Sequence, residues 1–382
     1  MTEAAFWTAA VALVYAYLGY PALLALAARK RSRPAGEAPP PSVSVIVAAY
    51  NEQACIEAKV RNVLEHGYAG PLELIVVSDG STDATEAIVD EARAAQPRLS
   101  LVPQRPRQGK NAALNAGARA ARGEVLVFTD ANAMLAPGAL ARLTAPFADA
   151  RVGLVSGQGF YAEAHAGATR VLTNAYVRYE QFLKEREAAL GFVAAADGAL
   201  YALRRALYAE LAPHEVHDLM HPIQVARAGG RSAFEPQAFT LEPPSVGGGS
   251  EFRRQLRIAA QGLRLLAQEL PGLVRAGRLR VLWFLVSHRL LRWTSAAFLA
   301  ALLVSSLRLA DAHPLYRAAL AGQVAFYATA LAGAAAERLR IKTRLLAVPY
   351  YFCLVSAAGA GAFVQVARRR TFATWLPGGG RA

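Results

Sequence analysis

Cysteine is scarce in this chain. Only Cys55 and Cys353 occur among 382 residues, and they lie far apart in the sequence. Two separated cysteines cannot form a disulfide framework or a cysteine-ligated zinc site, so a domain that faces the cytosol is the simpler expectation. Cys353 falls within an apolar run and is expected to act as a small buried hydrophobic residue.

Charged side chains are also few, and acidic ones are the fewest. Charged residues make up 18% of the chain against 54% for hydrophobic types, a balance typical of a protein with membrane spans. The 42 basic residues outnumber the 28 acidic ones, and the net charge of +14 predicts an anionic partner. The basic clusters Arg29–Arg33 and Arg368–Arg370 both follow apolar segments. This placement favours membrane lipids over nucleic acid, for which interleaved aromatic residues on a soluble face are expected.

The first long apolar run, Phe6–Ala28, contains no charged residue. Its 23 residues would form a helix of about 34 Å, long enough to cross a bilayer core. A signal peptide is the competing interpretation, but the basic residues follow the run and no convincing cleavage site precedes them. The positive-inside rule then predicts that the chain after Arg29–Arg33 is cytoplasmic, beyond a short, stiff Pro-rich linker at 34–41.

The last third of the chain is membrane-like again. The stretch Leu273–Leu291 mixes basic residues with large apolar ones and is predicted to lie along the membrane interface. Three further spans are predicted at Trp293–Leu307, Leu315–Ala336 and Leu345–Ala367, with Arg338–Arg344 as a second cytoplasmic loop. Three spans would place Arg368–Arg370 outside, against the positive-inside rule. Either one segment is re-entrant, or two passes share a stretch counted once.

Between these regions, from Val43 to about Pro236, the pattern alternates between strands and helices. Strands are predicted at Val43–Ala49, Leu72–Val77, Leu99–Val102 and the apolar run within 123–132, with helices to about His66, at Ala84–Ala95 (capped by Ser81 or Thr82) and at Asn111–Ala121. Less regular patterns predict a strand at Val152–Ser156 and a helix at Asn174–Ala189. The segments Phe192–Ala196 and Ala199–Leu203 flank Asp197-Gly198, and a helix is predicted after His214–Asp218, ending at Gly229-Gly230. A flexible Gly-rich stretch follows at Pro243–Ser250. The alternation predicts an α/β domain with a mostly parallel sheet.

Four polar clusters each follow one of these apolar strands. They are Tyr50-Asn51-Glu52, Asp79 with Asp83, Lys110, and Asp130 with Asn132. Strand ends can be polar only because they are exposed, but in a parallel sheet these four would converge along one edge, where ligands bind. Asp79 can accept a hydrogen bond from a base or ribose, Lys110 can neutralise phosphate, and Asp130 with Asn132 can offer oxygens to a hard divalent cation.

The histidines His214, His217 and His221 suggest a different site. His217 and His221 are spaced i, i+4, which places both on one helical face, as in zinc sites. The sequence is not His-Glu-x-x-His and Pro222 follows at once, so titrating histidines in a cleft or at the surface are the competing interpretation.

Four ordered motifs resemble those of family 2 glycosyltransferases. They are Val45–Glu52, Val76–Asp83, Gly109–Asn115 and Phe128–Asn132, and the likeness extends through Ala196–Arg205 and the His217-Asp218 region to cover most of residues 43–265. The resemblance implies the GT-A fold, a nucleotide-sugar donor and a divalent metal, Mg²⁺ or Mn²⁺. The membrane flanks resemble those of processive polysaccharide synthases.

The resemblance also implies roles for individual residues. Donor binding would fall to Ala49, Tyr50, Glu52, Asp79, Lys110 and Asp130; the metal would be held by Asp130 and Asn132; the base would be Asp218; and Asp197, Gly198 and Arg257 would contact the donor sugar or the acceptor. Three positions depart from the family pattern. Asn132 replaces the second metal carboxylate, His217 replaces the acid before Asp218, and the segment Arg254–Ile258 lacks the Gln and Trp of the Gln-x-x-Arg-Trp element.

The chemistry of sugar transfer agrees with these roles. The departing diphosphate needs its growing charge neutralised, and a carboxylate must take the proton of the acceptor hydroxyl. Direct displacement with Asp218 as the base predicts inversion, so an α-linked donor would give a β-linkage. Arg292-Trp293 repeats part of the missing element at the membrane edge, where it is expected to anchor the chain at the interface.

Together these features predict an inverting, multi-pass glycosyltransferase of the bacterial cytoplasmic membrane with its catalytic domain in the cytoplasm. The expected parts are a membrane helix with a basic flank (1–33), a GT-A domain (42–240), acceptor-side and interfacial helices (241–292), membrane helices (293–367) and a basic tail (368–382). The donor would be a UDP-sugar, and the acceptor a saccharide or a lipid-linked molecule. The alternatives are a single transfer to a lipid carrier, a non-catalytic nucleotide-sugar-binding subunit of a synthesis or export complex, and a cytosolic nucleotidyltransferase, which the apolar segments disfavour.

Overall fold

The computed structural model describes residues 1–28, 39–161, 168–243, 248–339, 341 and 344–368. The contacts between residues divide the chain into two compact units. The sheet unit comprises the described residues of Arg29–Ala164 and Lys184–Ser245, and the helical unit those of Met1–Ala28, His165–Leu183 and Val246–Arg370. Several predicted segments lie wholly or partly outside the described residues. They are the Arg29–Arg33 cluster, most of the Pro-rich linker, the centre of the Gly-rich stretch, three residues of the Arg338–Arg344 loop and the basic tail after Arg368.

The sheet unit contains one mixed sheet of eight strands. The strands are β1 Val43–Ala49, β2 Leu72–Asp79, β3 Leu99–Gln104, β4 Val125–Thr129, β5 Met134–Leu135, β6 Val152–Tyr161, β7 Leu200–Arg204 and β8 Arg231–Glu242. Their order is β3-β2-β1-β4-β7-β6-β8-β5. Strands β1 to β4 are parallel where they pair, whereas β7 runs antiparallel to β4 and β6. The carboxyl ends of β1, β2 and β4 therefore open on one edge.

Helices cover this sheet. They are α3 Ile56–Leu64, α4 Thr85–Ala95, α5 Lys110–Ala120, α6 Ala139–Thr144, the end of α7 Ala168–Ala189, and α8 His217–Arg227. Every residue of β1 is buried, as expected for a strand with elements on both faces. Val45 and Val47 of β1 join Val60 and Val63 of α3 in the main apolar core.

The cap predicted for α4 was wrong, because neither Ser81 nor Thr82 caps this helix. Asp83 does so instead: its carboxylate accepts hydrogen bonds from the backbone N–H of Thr85 at 3.0 Å and of Gln53 at 3.1 Å.

Strand β8 was missed because Pro236 was interpreted as the approximate end of the strand–helix alternation. The register with β6 jumps from Ser156–Phe234 to Gln158–Phe239, so Pro236 lies in a bulge between two paired segments. Proline is tolerated there because a bulged residue donates no hydrogen bond to the ladder.

The helical unit contains the apolar segments. Its helices are α1 Thr2–Val14 and α2 Tyr20–Ala27, joined by a π-helical turn, the first part of α7, α9 Gly248–Arg275, α10 Leu279–Phe284, α11 Leu291–Trp293, α12 Ser295–Leu309, α13 Pro314–Arg338 and α14 Arg344–Ala367. Among the described residues, three helices are long and apolar enough to cross a membrane: Thr2–Ala27, Pro314–Arg338 and Leu345–Ala367. These match three of the four predicted spans and support association with a membrane.

The fourth predicted span, Trp293–Leu307, corresponds to α12, which at 15 residues is short for a span by itself. Together with Leu279–Trp293 it is long and apolar enough to cross a membrane, but the two helices are bent by 59° at the break between them. Polar contacts gather near this break: Glu180 of α7 pairs with Arg292 and lies 3.1 Å from His288. The first half overlaps Leu273–Leu291, whose position along the membrane interface stays a prediction. Arg292-Trp293 was expected to anchor the chain at that interface. Arg292 is instead 9% exposed and engaged within the unit.

Candidate active site

The loops after β1 and β2 bond to each other, so these two strand ends act as one surface. Asn51 accepts a hydrogen bond from the backbone N–H of Thr82 at 2.8 Å through its side-chain oxygen. Its own N–H donates to Ser81 Oγ at 3.1 Å, and the N–H of Glu52 donates to Thr85 Oγ1 at 2.8 Å. Asn51 adopts a positive φ of 54°, which asparagine tolerates better than most residues.

Asp79 ends β2 and holds the loop before α5. One oxygen accepts from Gln104 Nε2 at 2.9 Å and the N–H of Gln108 at 2.7 Å, and the other from the N–H of Gly109 at 2.8 Å. The same loop carries Arg107, whose guanidinium carbon lies 3.5 Å from the centre of the Tyr50 ring. The Asp79 carboxylate therefore fixes the segment that leads into Lys110.

Lys110 and Asp130 meet where α5 begins and β4 ends. Lys110 Nζ lies 2.5 Å from Asp130 Oδ1, and both side chains are partly exposed. Glu52 lies in the same neighbourhood. Burial raises the pKa of its carboxyl, and the negative charge of Asp130 raises this pKa further. The Cys55 thiol, which donates a hydrogen bond to the carboxylate at 3.2 Å, acts in the opposite direction. Two acids and one lysine thus face each other at the strand ends.

The turn after β4 offers a partial set of metal ligands. It presents the Asp130 carboxylate, engaged by Lys110 through one oxygen, and the half-buried amide of Asn132. Mg²⁺ and related ions are often held by one or two protein oxygens together with substrate phosphates. The donor set fits a cation of that type. In the described part of the chain no three His, Cys, Asp or Glu side chains gather as a complete protein-only site.

The start of α8 brings Asp218 to the same region. The side chain of Asn111 in α5 donates to the carbonyls of Ala212 at 2.7 Å and Glu215 at 2.9 Å, which ties the loop before α8 to the helix that begins with Lys110. The backbone carbonyl of Asp218 accepts from the N–H of Ala196 at 2.8 Å. A Cβ placed on Gly198 would lie 3.4 Å from Asp218 Oδ2, so this carboxylate lies beside the Asp197-Gly198 turn.

The two histidines of α8 contact an aromatic side chain. Both Nδ1 atoms are hydrogen-bonded to Tyr201 Oη, at 3.2 Å for His217 and 2.9 Å for His221. Burial lowers the pKa of His221 to about 3, and it also lowers the pKa of His217, on which nearby Lys110 acts in the same direction. Two neutral imidazoles packed on Tyr201 give no support to the zinc interpretation.

Asp197 is held firmly by its neighbours. Its N–H donates to Ser156 Oγ at 2.9 Å, its carboxylate accepts from the N–H of Ala199 at 3.1 Å, and Lys184 Nζ lies 3.6 Å away. The side chain is mostly buried, with 19% exposed. The turn that bears Gly198 is therefore rigid.

Comparison with known proteins identifies the family. Glycosyl transferase family 2 matches residues 44–211. A protein of Sinorhizobium fredii named N-acetylglucosaminyltransferase is 30% identical over 287 residues, which are 69% of each chain. The chain belongs to glycosyl transferase family 2. A relative from Mesorhizobium japonicum with the same name is also 30% identical, over 62% of this chain, and the chain spans 60% of that relative's length.

A solved structure is similar over almost the whole length. The mannosyltransferase PcManGT from Pyrobaculum calidifontis, solved with GDP-Man and Mn²⁺, matches 97% of this chain and all of its own with a TM-score of 0.69 at 24% identity. This similarity confirms the predicted GT-A fold of the family 2 chain.

Most of the predicted site residues converge in this family 2 domain. The ends of β1, β2 and β4 and the starts of α5 and α8 carry Ala49, Tyr50, Glu52, Asp79, Lys110, Asp130, Asn132 and Asp218, and the turn before β7 places Asp197 and Gly198 beside Asp218. Arg257 lies on α9 in the helical unit, and its assignment to the diphosphate and acceptor stays a prediction. The roles of the converging residues are also predictions, which their positions allow.

Two groups of residues were missed. Arg107 was overlooked because an arginine in a polar loop carries no distinctive signal. The other group is Lys59 and Asn62 of α3 with His66, two residues beyond its end. Polar residues at helical spacing are typical of a solvated face, so their pattern gave no sign of buried partners.

Proposed function

We propose that this family 2 chain is a membrane-associated, inverting glycosyltransferase. It moves a sugar from a nucleotide-sugar donor, with UDP-N-acetylglucosamine as the first candidate, to a saccharide or lipid-linked acceptor at the cytoplasmic face of a bacterial membrane. The observation that carries the proposal is the Lys110–Asp130 pair, at 2.5 Å, beside the α8 start that bears Asp218. Groups suited to the leaving diphosphate and to proton abstraction lie on the same edge of one sheet.

The donor follows from the relatives. Both proteins named N-acetylglucosaminyltransferase align with more than half of this chain, whereas the similar mannosyltransferase shares the fold at 24% identity. UDP-N-acetylglucosamine is therefore tested first, with GDP-mannose as the comparison donor. The nucleoside would bind over Tyr50, beside Ala49, Glu52 and the segment held by Asp79.

Charge neutralisation would fall to Lys110 and the Asp130–Asn132 turn. As the bond to the sugar breaks, negative charge grows on the diphosphate, and an ammonium group fixed nearby stabilises it. A divalent cation held by Asp130 and Asn132 would supply further neutralisation of the phosphates. Mg²⁺ and Mn²⁺ are both candidates, and the Mn²⁺ in the similar mannosyltransferase makes Mn²⁺ the first to test.

The acceptor would be activated by Asp218. A sugar hydroxyl is a weak nucleophile until a carboxylate takes its proton. Asp218 lies beside the rigid turn at Gly198, where a side chain would approach its carboxylate to 3.4 Å. The glycine keeps the space next to the base open for an acceptor hydroxyl. Attack from this side displaces the diphosphate directly, and the anomeric centre inverts.

The test incubates membranes that contain the protein with labelled UDP-N-acetylglucosamine, UDP-glucose or GDP-mannose and Mn²⁺ or Mg²⁺. We expect label to enter product from UDP-N-acetylglucosamine, and the length of the product distinguishes processive from single transfer. Binding of donor without product from any of the three would instead support the non-catalytic binding subunit.

A further inference from the structure

Lys59 is a fully buried cation that the proposed reaction does not use. It lies on α3 with 0% of its surface exposed. Its Nζ donates to Thr129 Oγ1 at 2.9 Å and to the backbone carbonyl of Ala133. These acceptors stand on either side of the Asp130-Ala131-Asn132 turn, one residue before it and one residue after it.

Two more side chains extend this contact along the same segment. The Asn62 amide of α3 donates to the carbonyl of Leu135 at 3.0 Å and accepts from its N–H at 2.8 Å. His66, two residues beyond the end of α3, accepts from the N–H of Leu140 through Nε2 at 3.3 Å. Lys59 and Asn62 lie on one face of α3 at i, i+3, and with His66 they bond the chain from the end of β4 to α6.

Burial of an ammonium group is costly, so a role is needed to explain it. Burial lowers the pKa of Lys59 to about 7, while the charge of Asp130 acts in the opposite direction. An apolar side chain of similar length would fill the same space without a desolvation penalty. What only a buried donor can do here is bond the two ends of the turn at once.

We propose that Lys59 is a positioning residue for the divalent cation, because it fixes the turn so that Asp130 and Asn132 offer their oxygens to one ion. This inference rests on the proposed function, in which that ion binds the donor diphosphate. With a single carboxylate in the donor set, the angle between the two ligands matters more than in a site with two charges. Residues that orient metal ligands typically contribute about 10- to 100-fold to metal affinity.

A positioning role and a purely electrostatic role for Lys59 predict opposite changes in metal affinity when the lysine is replaced. A buried positive charge near the site repels a divalent cation, so its removal would tighten metal binding if charge alone mattered. If Lys59 acts as a clamp, through its hydrogen bonds to Thr129 and Ala133, its loss would weaken binding of the divalent cation, because Asp130 and Asn132 could then move apart. The direction of the change in affinity therefore separates the two roles.

The test uses the purified full-length protein in detergent and follows free Mn²⁺ by its electron paramagnetic resonance signal, with UDP or GDP present. Lys59→Met keeps the length of the side chain and removes its donors, and the dissociation constant for Mn²⁺ should rise about 10-fold or more. The matched control is Val60→Ala, which loosens the core at the next position on α3. It should lower thermal stability and leave Mn²⁺ affinity unchanged.

A second pair of variants covers the case in which Lys59→Met does not fold. Thr129→Val removes one acceptor of Lys59 and should weaken Mn²⁺ binding, whereas Thr129→Ser keeps the hydroxyl and should restore it. Unchanged or tighter Mn²⁺ binding in Lys59→Met, or in Thr129→Val, overturns the clamp and leaves the proposed function standing. Absence of Mn²⁺ binding in the wild type with either nucleotide overturns both.

Discussion

At the scale of single residues, Asn132 is the most informative position. The family pattern has a second acid there, and the asparagine leaves Asp130 as the carboxylate of the predicted metal pair. Lys110 already neutralises Asp130 at 2.5 Å, so the turn carries little net negative charge. Such a site depends on phosphate oxygens of the donor for part of its attraction to the metal.

We therefore expect Asn132→Asp to lower the Mn²⁺ concentration needed for half-maximal transfer, by about 10-fold, because it adds a charged oxygen ligand. Asp130→Asn should raise that concentration at least as much and abolish transfer at low Mn²⁺. A metal titration of transfer activity measures both. Equal Mn²⁺ requirements in the wild type and both variants would show that this turn does not hold the ion.

Replacement of Asp79 should lower the stability of the protein. This residue is 2% exposed, and its oxygens accept hydrogen bonds from the loop that leads to Lys110. Asp79→Asn would turn an amide N–H₂ towards backbone N–H groups, and the lost charge-assisted bonds should cost about 1–3 kcal/mol of stability even without donor.

Thermal unfolding of the donor-free protein measures this effect. Asp83→Asn, at the exposed end of the neighbouring loop, serves as the comparison and should cost less. If Asp79 contacted only the base or ribose of a donor, its replacement would leave the stability of the donor-free protein unchanged.

Among the helices and strands, those with a regular hydrophobic pattern could be predicted from the sequence, whereas a strand that depends on pairing with a distant segment could not. Strands β1, β2 and β4 were found because they are short, mostly apolar runs that lead into polar residues. Strand β8 was missed because Pro236 interrupts it, and only the bulge against β6 makes that proline acceptable.

The same distinction holds for the site. Lys110, Asp130 and Asp218 were found from motifs at strand and helix ends. Lys59 could not be assigned a partner from the sequence, since Thr129 and Ala133 lie about 70 residues further along the chain. Contacts between distant segments are set by the fold and leave little trace in local pattern.

The buried histidine His221 of α8 should make the stability of the protein depend on pH. Burial lowers the pKa of His221 to about 3, well below its ordinary value of about 6.5. The folded state holds this imidazole neutral, while the unfolded chain takes up a proton below pH ~6.5. Stability is therefore complete above that pH and falls as the pH drops below it, by up to about 1.4 kcal/mol per pH unit from this residue.

His221→Gln retains a polar partner for Tyr201 and cannot titrate in this range. We expect the melting temperature of this variant to fall less than that of the wild type between pH 7 and pH 5. Parallel pH profiles for the two proteins would show that the buried histidine does not contribute to acid sensitivity.

At the scale of the whole molecule, two kinds of surface are encoded in one chain. The helical unit carries three helices that could cross a membrane and a bent pair that passes the same test together. The sheet unit carries the polar edge at which the donor is proposed to bind.

The central claim is that this edge binds a nucleotide sugar and that Asp218 then activates the acceptor. The most direct measurement compares the wild type with Asp218→Asn, following both binding of UDP-N-acetylglucosamine in the presence of Mn²⁺ and transfer of labelled sugar. We predict that the variant binds the donor with unchanged affinity and transfers sugar about 10²- to 10⁴-fold more slowly, because only proton abstraction is lost. Transfer at the wild-type rate by Asp218→Asn, with donor binding intact, would contradict the account.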